Sequence, residues 1–536
     1  MRVDIVESQI YDRLRGDWTD AGRLRGVSHL LWRTVSQQGN KEALISPERT
    51  LTYSQWWYYM LIVADWLLVR GVTQGSRVVL YIPNTVEFYC AYFATWHVGA
   101  VVVPLNIYLH SREVAAILDD AQATVIITVA SMQEQLEASL AQSKAASKTV
   151  LVLDTYLWNF TYDAQDCVDR DTALPPAIRL VEESAVILYT SGSTGVPKGV
   201  VLSGKNVIAN TIQVRARFER VVGASNNERF LAILPLFHAF SQNASMWLPV
   251  MMGATIITVP KIERRSLLQG LAYKPTLFFG FPALFGLLVM MRNAPLNSIK
   301  LFVSGADALP DKIRMAFSLV YGRKIVSGYG LTEASPVVAV DGFGQDHPTN
   351  MVGRPLIGVT CQIRDTELNP LPFDSVGTLW VKGDNVMQGY YNEPVLTAEV
   401  LHADWLNTGD LATIDHEGYV SIVGRSKELI INKGFNIYPQ EVENVLLRHP
   451  AVFKAAVIAK DEEGGQVPIA YVAVREGARV APADIDAFCR ENLAAYKVPR
   501  VVTCLNDLPM TATGKIDKVR LRSASYVATA TTKTAP

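Results

Sequence analysis

From Arg77 to Val129 the chain alternates strand, helix, strand, helix, strand, and this alternation limits the possible folds more than any other feature. Arg77–Ile82 is an apolar run stopped by Pro83-Asn84, and Val86–Trp96 has helical texture up to Gly99. Ala100–Val103 is a second apolar run closed by Pro104, Arg112–Ala121 is helical, and Thr124–Val129 is a third strand. Strands joined by helices run parallel and have both faces covered, which predicts a layered α/β body. Ser54–Val69 reads as an aromatic-rich helix with Thr52 at or near its cap. The rhythm recurs at Val186–Tyr189, Arg229–Leu234, Thr255–Val259, Leu277–Phe279, Leu301–Val303 and Lys324–Val326. Gly377–Lys382 opens a β-rich stretch that includes Tyr419–Val423. Beyond Gly424 the texture becomes compact α+β: Gln440–Arg448 and Ala483–Leu493 helical, Val452–Ala459 and Ile469–Val474 strands. The expected organisation is a large N-terminal domain of parallel sheets flanked by helices with a β-rich subdomain, residues 1–424. A small α+β C-terminal domain, 425–522, follows, and then an Ala/Thr/Ser-rich tail, 523–536, expected to be disordered.

Composition narrows the class. The 536 residues carry 50 Lys+Arg against 51 Asp+Glu, so no broad positive field is available for a nucleic-acid backbone. Apolar content is high, yet the longest apolar run, Thr276–Met291, is broken by Gly280, Pro282 and Gly286 and falls short of the ~20 residues that a spanning helix needs. It reads as a buried strand followed by a helix start. Met1–Asp12 mixes acids and bases and lacks the apolar core of a signal peptide. Cys90, Cys167, Cys361, Cys489 and Cys504 are widely spaced, which argues against a disulfide framework or a zinc site and for a cytoplasmic chain.

The densest chemical signal is Tyr189-Thr-Ser-Gly-Ser-Thr-Gly-Val-Pro-Lys-Gly199, directly after a strand. Its glycines let backbone N–H groups turn toward an anion, the hydroxyls of Thr190, Ser191, Ser193 and Thr194 add donors, and Lys198 adds charge. Gly199-Val-Val-Leu-Ser-Gly-Lys205 imitates a P-loop. Asn206 stands where the metal-binding Ser/Thr belongs, however, and Val200–Leu202 reads as strand, so a P-loop is rejected.

Thr190–Gly199 resembles the signature loop of the adenylate-forming superfamily, which includes acyl-CoA synthetases, luciferases and peptide-synthetase adenylation domains. Further motifs follow in the family's order. Gly328-Tyr-Gly-Leu-Thr-Glu-Ala-Ser335 resembles the second nucleotide motif, and Trp405-Leu-Asn-Thr-Gly-Asp410 the ribose motif. Gly424-Arg-Ser-Lys-Glu-Leu-Ile430, continued by Lys433-Gly434, resembles the hinge, and Pro509-Met-Thr-Ala-Thr-Gly-Lys515 the segment bearing the catalytic lysine. The resemblance covers residues 25 to 522.

This resemblance implies roles. Thr190, Ser191, Gly192, Ser193, Thr194, Gly195 and Lys198 would hold ATP phosphates. Gly305, Ala306 and Asp307 resemble the adenine-contacting turn, with Gly328, Tyr329, Gly330 and Thr332 beside the nucleotide and Tyr329 stacked on adenine. Glu333 would ligate Mg²⁺, a hard ion suited to oxygen. Asp410 would bind the ribose hydroxyls and Arg425 the ribose or phosphates. Lys427 would be the hinge of a mobile C-terminal domain, Lys515 the catalytic lysine, and Lys433-Gly434 would approach the thiol. In Leu234-Pro-Leu-Phe-His-Ala-Phe240, His238 would stand near the acid's carboxylate. The implied reaction is attack of a carboxylate on the α-phosphate of ATP to give an acyl-adenylate and pyrophosphate, followed by displacement of AMP by a thiolate. Between Leu231 and Val259 there is no Asp or Glu to hold an amino acid's ammonium, and Phe278, Phe279, Phe281 and Phe285 suit an apolar tail. A medium- or long-chain fatty acid is favoured over an aryl or cinnamate acid. Coenzyme A is the simplest acceptor; acyl carrier protein is the alternative, and Ser203-Gly204-Lys205 departs from the Thr-His-Arg of many relatives. A luciferase-like oxygenase shares these motifs and stays open. A monomer or homodimer is expected.

Overall fold

The computed structural model describes residues 4–19, 27–144, 149–162, 183–191, 197–341, 348, 350–432, 435–462, 465–475, 477–478, 480–510 and 516–523. The expected tail lies outside these residues from 524 onward.

Two sheets share the N-terminal body. In the seven-stranded sheet, Arg77–Tyr81 is flanked in parallel by Val101–Pro104 and Val125–Thr128, as the alternation predicts. Its far edge is antiparallel, where Ser184–Ser191, Pro197–Ser203 and Gly389–Tyr390 pair in turn. The larger, fourteen-stranded sheet has two halves. Glu42–Ile45, Thr255–Thr258, Arg229–Ala232, Leu277–Gly280, Leu301–Ser304 and Ile325–Gly330 run parallel. Beyond Ile325–Gly330 the pairing becomes antiparallel, through Val337–Val340, Met351–Pro355, Val420–Arg425, Trp405–Ile414, Gly377–Gly383 and Val359–Arg364. The β-rich subdomain is therefore an extension of the parallel sheet.

Helices between the sheets are apolar on all sides because both faces are covered. Tyr53–Val69 starts at a capping box in which Thr52 Oγ1 accepts from Gln55 N and the Gln55 side chain accepts from Thr52 N. Trp56 meets Tyr89 and Phe93 edge-on, and Trp96 stacks on Trp247. The false P-loop has a structural explanation. Pro197–Ser203 is a strand, Ser203 caps the Gly204–Val222 helix, and Asn206 closes the box, so Gly204 and Lys205 occupy a helix's first turn.

The apolar run splits into the strand Leu277–Gly280 and the helix Pro282–Met291. Among the described residues no helix is long and apolar enough to cross a membrane. The N-terminal segment, read only as lacking a signal peptide, forms the helix Ile5–Thr19. This helix packs on Gly204–Val222, where buried Glu7 pairs with Arg217 at 2.8 Å.

Arg425 is the last residue of a strand in the larger sheet, and the 3₁₀ turn Ser426–Glu428 follows it. The C-terminal unit has its own five-stranded sheet, led by the Val452–Glu462 and Gly465–Val474 hairpin, with the helices Pro439–Arg448 and Pro482–Asn492.

Candidate active site

The candidate residues collect at the carboxyl ends of the parallel strands, where the larger sheet changes direction. Open α/β sheets present their ligand crevices at such points. Leu301–Ser304 runs into Gly305-Ala306-Asp307, and Ala306 takes a left-handed φ of 68°, which turns the chain sharply. Gly305 N donates to Gly280 O at 3.0 Å, binding two neighbouring strand ends together. A Cβ on Gly305 would lie 3.1 Å from the Phe240 ring, so that ring already fills the space. Asp307 is exposed, and its carboxylate accepts from Ala308 N at 2.8 Å, a local turn bond.

Gly328, Tyr329 and Gly330 lie on the adjacent strand, and Thr332 opens a 3₁₀ turn bearing Glu333. Gly330 has no room for a side chain, because a Cβ would fall 2.0 Å from Pro336 O. The Tyr329 hydroxyl donates to Asp410 Oδ2 at 2.5 Å, and Arg425 Nε donates to Asp410 Oδ1 at 2.7 Å. Asp410 and Arg425 are direct cross-strand partners in the sheet register, which explains a contact between residues fifteen positions apart. Thr408 Oγ1 steadies this strand by donating to Leu379 O and accepting from Asp410 N. Asp410 is 3% exposed, a buried carboxylate held by a phenol and a guanidinium. Burial, then the Asp410 charge, raises the Tyr329 phenol well above the usual tyrosine range, so it stays a donor. Burial opposes the Arg425 charge, but Asp410, Tyr329 and Glu333 outweigh it and hold the guanidinium above its ordinary value.

A second cluster forms at the base of the Gly-rich loop. Thr190 and Lys198 are cross-strand partners, as are Ser191 and Pro197, so the two strands bracket residues 192–196. Gly192, Ser193, Thr194 and Gly195 lie outside the described residues, as does the Ser191 side chain. Lys198 Nζ sits 5.6 Å from the centre of the Tyr390 ring, and the Tyr390 hydroxyl donates to Glu333 Oε1 at 2.9 Å. Burial, then the Glu333 charge, raises the Tyr390 phenol. Tyr390 thus links the loop's lysine to the carboxylate of the second motif. Sequence reading missed it, although Gly389-Tyr-Tyr391 is a visible aromatic cluster. Its position depends on Gly389–Tyr390 pairing with Val200–Val201 across the chain. The second oxygen of Glu333 has no hydrogen-bond donor among the described residues.

Leu234–Phe240, the segment expected to line the acid, is pinned by residues that sequence reading did not single out. Asn84 donates to Ala232 O and Leu234 O and accepts from Leu236 N. Ser241 and Gln242 bond back to Leu234 O and Leu236 O. His238 is partly buried against Phe237, with ring centres 4.5 Å apart, at the start of the short Ala239–Gln242 helix. Of the expected phenylalanines, Phe279 meets Phe240 edge-on, whereas Phe278 and Phe285 pack on the opposite side of the sheet with Phe302 and Phe317.

Lys427 lies exposed in the Ser426–Glu428 turn. Lys433, Gly434 and Lys515 fall outside the described residues, but the Met510–Ile516 bridge brackets residues 511–515.

Comparisons with known proteins show the family. Residues 31–391 match the AMP-binding enzyme family, and residues 441–515 match the AMP-binding enzyme C-terminal domain. The chain belongs to this family of AMP-binding enzymes. It is 33% identical to a long-chain-fatty-acid–CoA ligase of Bacillus subtilis (strain 168), with 92% of this chain and 94% of that protein covered. It is likewise 33% identical to a feruloyl-CoA synthase of Amycolatopsis sp, covering 90% and 97%. Among solved structures, an anthranilate CoA ligase, AuaEII, in complex with anthranoyl-AMP aligns with a TM-score of 0.85 at 28% identity, covering 96% and 99%.

Proposed function

We propose that this protein is an AMP-forming acid–CoA ligase that activates a medium- or long-chain fatty acid through an acyl-adenylate. The observation that carries this reading is the Tyr329–Asp410–Arg425 cluster at the switch point of the larger sheet. Its buried carboxylate is an acceptor of the kind a vicinal diol needs. Thr190, Lys198 and the intervening loop hold the phosphates, Tyr329 offers its ring to adenine, and Lys515 supplies a mobile charge to the α-phosphate. A carboxylate oxygen of the acid attacks the α-phosphorus and pyrophosphate leaves. Thiolate then attacks the acyl carbon and AMP leaves. Lys427 is the pivot between the two steps, and His238 faces the acid's carboxyl end.

Magnesium fits Glu333. Among the described residues no cluster of three or more His, Cys, Asp or Glu could hold a metal, and Mg²⁺ is commonly bound by one or two carboxylates together with substrate phosphates. When bound it neutralises phosphate charge. Glu333, fixed by Tyr390, supplies the protein oxygen.

The fatty-acid assignment is supported by the apolar wall of Phe240 and Phe279, the absence of acids from Leu231 to Val259, and the ligases of this specificity among the relatives. The test is ATP-dependent AMP release over C6 to C18 acids, ferulate, cinnamate and amino acids, with CoA or acyl carrier protein as acceptor. CoA-dependent turnover that rises with chain length is expected. Turnover confined to ferulate and cinnamate would replace the fatty acid with an aryl acid, and turnover only with carrier protein would replace CoA.

A further inference from the structure

We propose that Lys518 is a positioning residue that ties the Ser426–Glu428 turn to the C-terminal unit, so that the pivot is confined to Ser426 and Lys427. The proposal rests on the reading of this turn as the hinge of an acid–CoA ligase. The chain ahead of the turn is held to the N-terminal body. Arg425 ends the strand Val420–Arg425, stands opposite Asp410 in the sheet, and donates to its carboxylate at 2.7 Å. The chain beyond the turn is held on the other side through Glu428. Lys518 Nζ donates to Glu428 Oε2 at 2.6 Å and to Glu443 Oε1 at 2.9 Å. Glu443 Oε1 also accepts from Val457 N at 2.8 Å, which fixes the Pro439–Arg448 helix to the strand Val452–Glu462 at this point. One ammonium thus joins the turn to a helix that is itself bound to the unit's sheet.

Lys518 is in turn set by its chain neighbours. Asp517 N donates to Pro509 O at 2.8 Å, and Asp517 Oδ1 accepts from Arg520 N at 2.9 Å, capping the short Lys518–Arg522 helix. Leu521 on that helix is fully buried in a cluster with Ile458, Tyr471 and Leu508. The apolar contact holds the helix in place, and the ammonium reaches from it to the turn. Burial works against the Lys518 charge, but Glu443 and then Glu428 outweigh it and hold the ammonium above its ordinary value. Burial likewise raises the Glu443 carboxyl, with Lys518 opposing the rise. Removing the lysine would leave two neighbouring carboxylates, one of them deeply buried, without their shared cation.

The turn holds itself only weakly. Leu429 N approaches Ser426 O at 3.4 Å, longer than an ordinary backbone bond, and Ser426 Oγ is buried without a hydrogen-bond partner among the described residues. Without the Lys518 contact the loose stretch would run from Ser426 to Leu429, up to the strand Ile430–Asn432. A longer loose stretch lets the C-terminal unit take up many orientations, whereas a reaction in two steps needs two defined ones. In the sequence Lys518 also stands three positions after Lys515, so the same residue joins the hinge to the stretch that bears the proposed catalytic lysine.

The test reads the turn directly, without substrate. The full chain is digested under native conditions with a lysine-specific endoprotease, and the fragment ending at Lys427 is followed by mass. Lys518→Met should raise the rate of that cut about tenfold and Glu428→Gln about fivefold. The double variant should be cut no faster than Lys518→Met, since both changes break one contact. Lys518→Arg, which keeps the charge and its donors, should stay within about twofold of wild type. Turnover is the second readout: Lys518→Met and Glu428→Gln should each lower kcat about fivefold or more with KM for ATP and for the acid unchanged. Should Lys518→Met fail to fold, Glu428→Gln keeps the Lys518–Glu443 pair and carries both readouts. The proposal is overturned if the variants are cut at the wild-type rate, if the two single effects multiply in the double variant, or if the cut quickens while kcat stays at the wild-type value. A wild type that releases no AMP with any acid would overturn the ligase reading and with it the pivot role, whereas an unchanged cut would overturn the Lys518 tie alone.

Discussion

The proposed nucleotide side and the proposed acid side of the candidate site are built on different physical principles. Around Asp410 and Glu333 each charge has a named partner fixed by strand register: Tyr329 and Arg425 on one carboxylate, Tyr390 on the other. Around Gly305 there is no ion pair among the described residues. Shape is set instead by a missing side chain and by the Phe240 ring that occupies its place. The first arrangement discriminates by charge and hydrogen bonding, where one lost group leaves a buried partner unsatisfied. The second discriminates by volume, where one added or removed carbon is worth about 1–3 kcal/mol. Substitutions on the two sides should therefore fail in different ways.

The largest loss is expected from Lys515→Ala, about 10²–10³-fold in acyl-adenylate formation, because it removes the charge proposed to meet the developing α-phosphate charge. Adenylation at the wild-type rate would remove that lysine from the chemistry. Next is Asp410→Asn, about 10²-fold in kcat/KM for ATP with a small change in KM for the acid, measured by varying each substrate. An equal effect on both substrates would erase the contrast between the sides.

Gly305→Val should raise KM for the acid about tenfold or more, since its branches meet the Phe240 ring. Phe240→Leu should restore part of the loss in the double variant. A double variant no better than Gly305→Val would show that Phe240 is not the limiting wall. The smallest effect is expected from Tyr390→Phe, about fivefold in ATP turnover from one lost hydrogen bond to Glu333. The pH profile gives a signed check. The raised Tyr329 and Tyr390 phenols remain protonated as pH climbs through the ordinary tyrosine range, so Tyr390→Phe should lower the profile without adding or removing an alkaline limb there.

Much of the fold was readable because local signals agreed with the tertiary outcome. Thr52 and Gln55 cap a helix where the sequence places one, and Val200–Leu202 is strand where a P-loop would need a loop. The residues proposed for the nucleotide stand together in compact motifs, which is why sequence reading singled them out. Tyr390 and Asn84 were not readable, because their partners lie 57 and more than 140 positions away and are set by strand pairing. Glu7 escaped likewise, since its partner Arg217 is 210 positions distant. Phe278 and Phe285 show the converse error. Their composition suits an acid pocket, but alternation along the strand sends Phe278 to the far face, where it packs with Phe285, and leaves Phe279 alone facing Phe240.

The most direct measurement of the adenylation reaction is exchange of labelled pyrophosphate into ATP without CoA. A fatty acid of suitable length should drive exchange, Asp410→Asn should reduce it about 10²-fold, and CoA should then release AMP and acyl-CoA in equal amounts. Acid-dependent formation of ADP and phosphate, or acyl-CoA formation without any pyrophosphate exchange, would contradict the acyl-adenylate route.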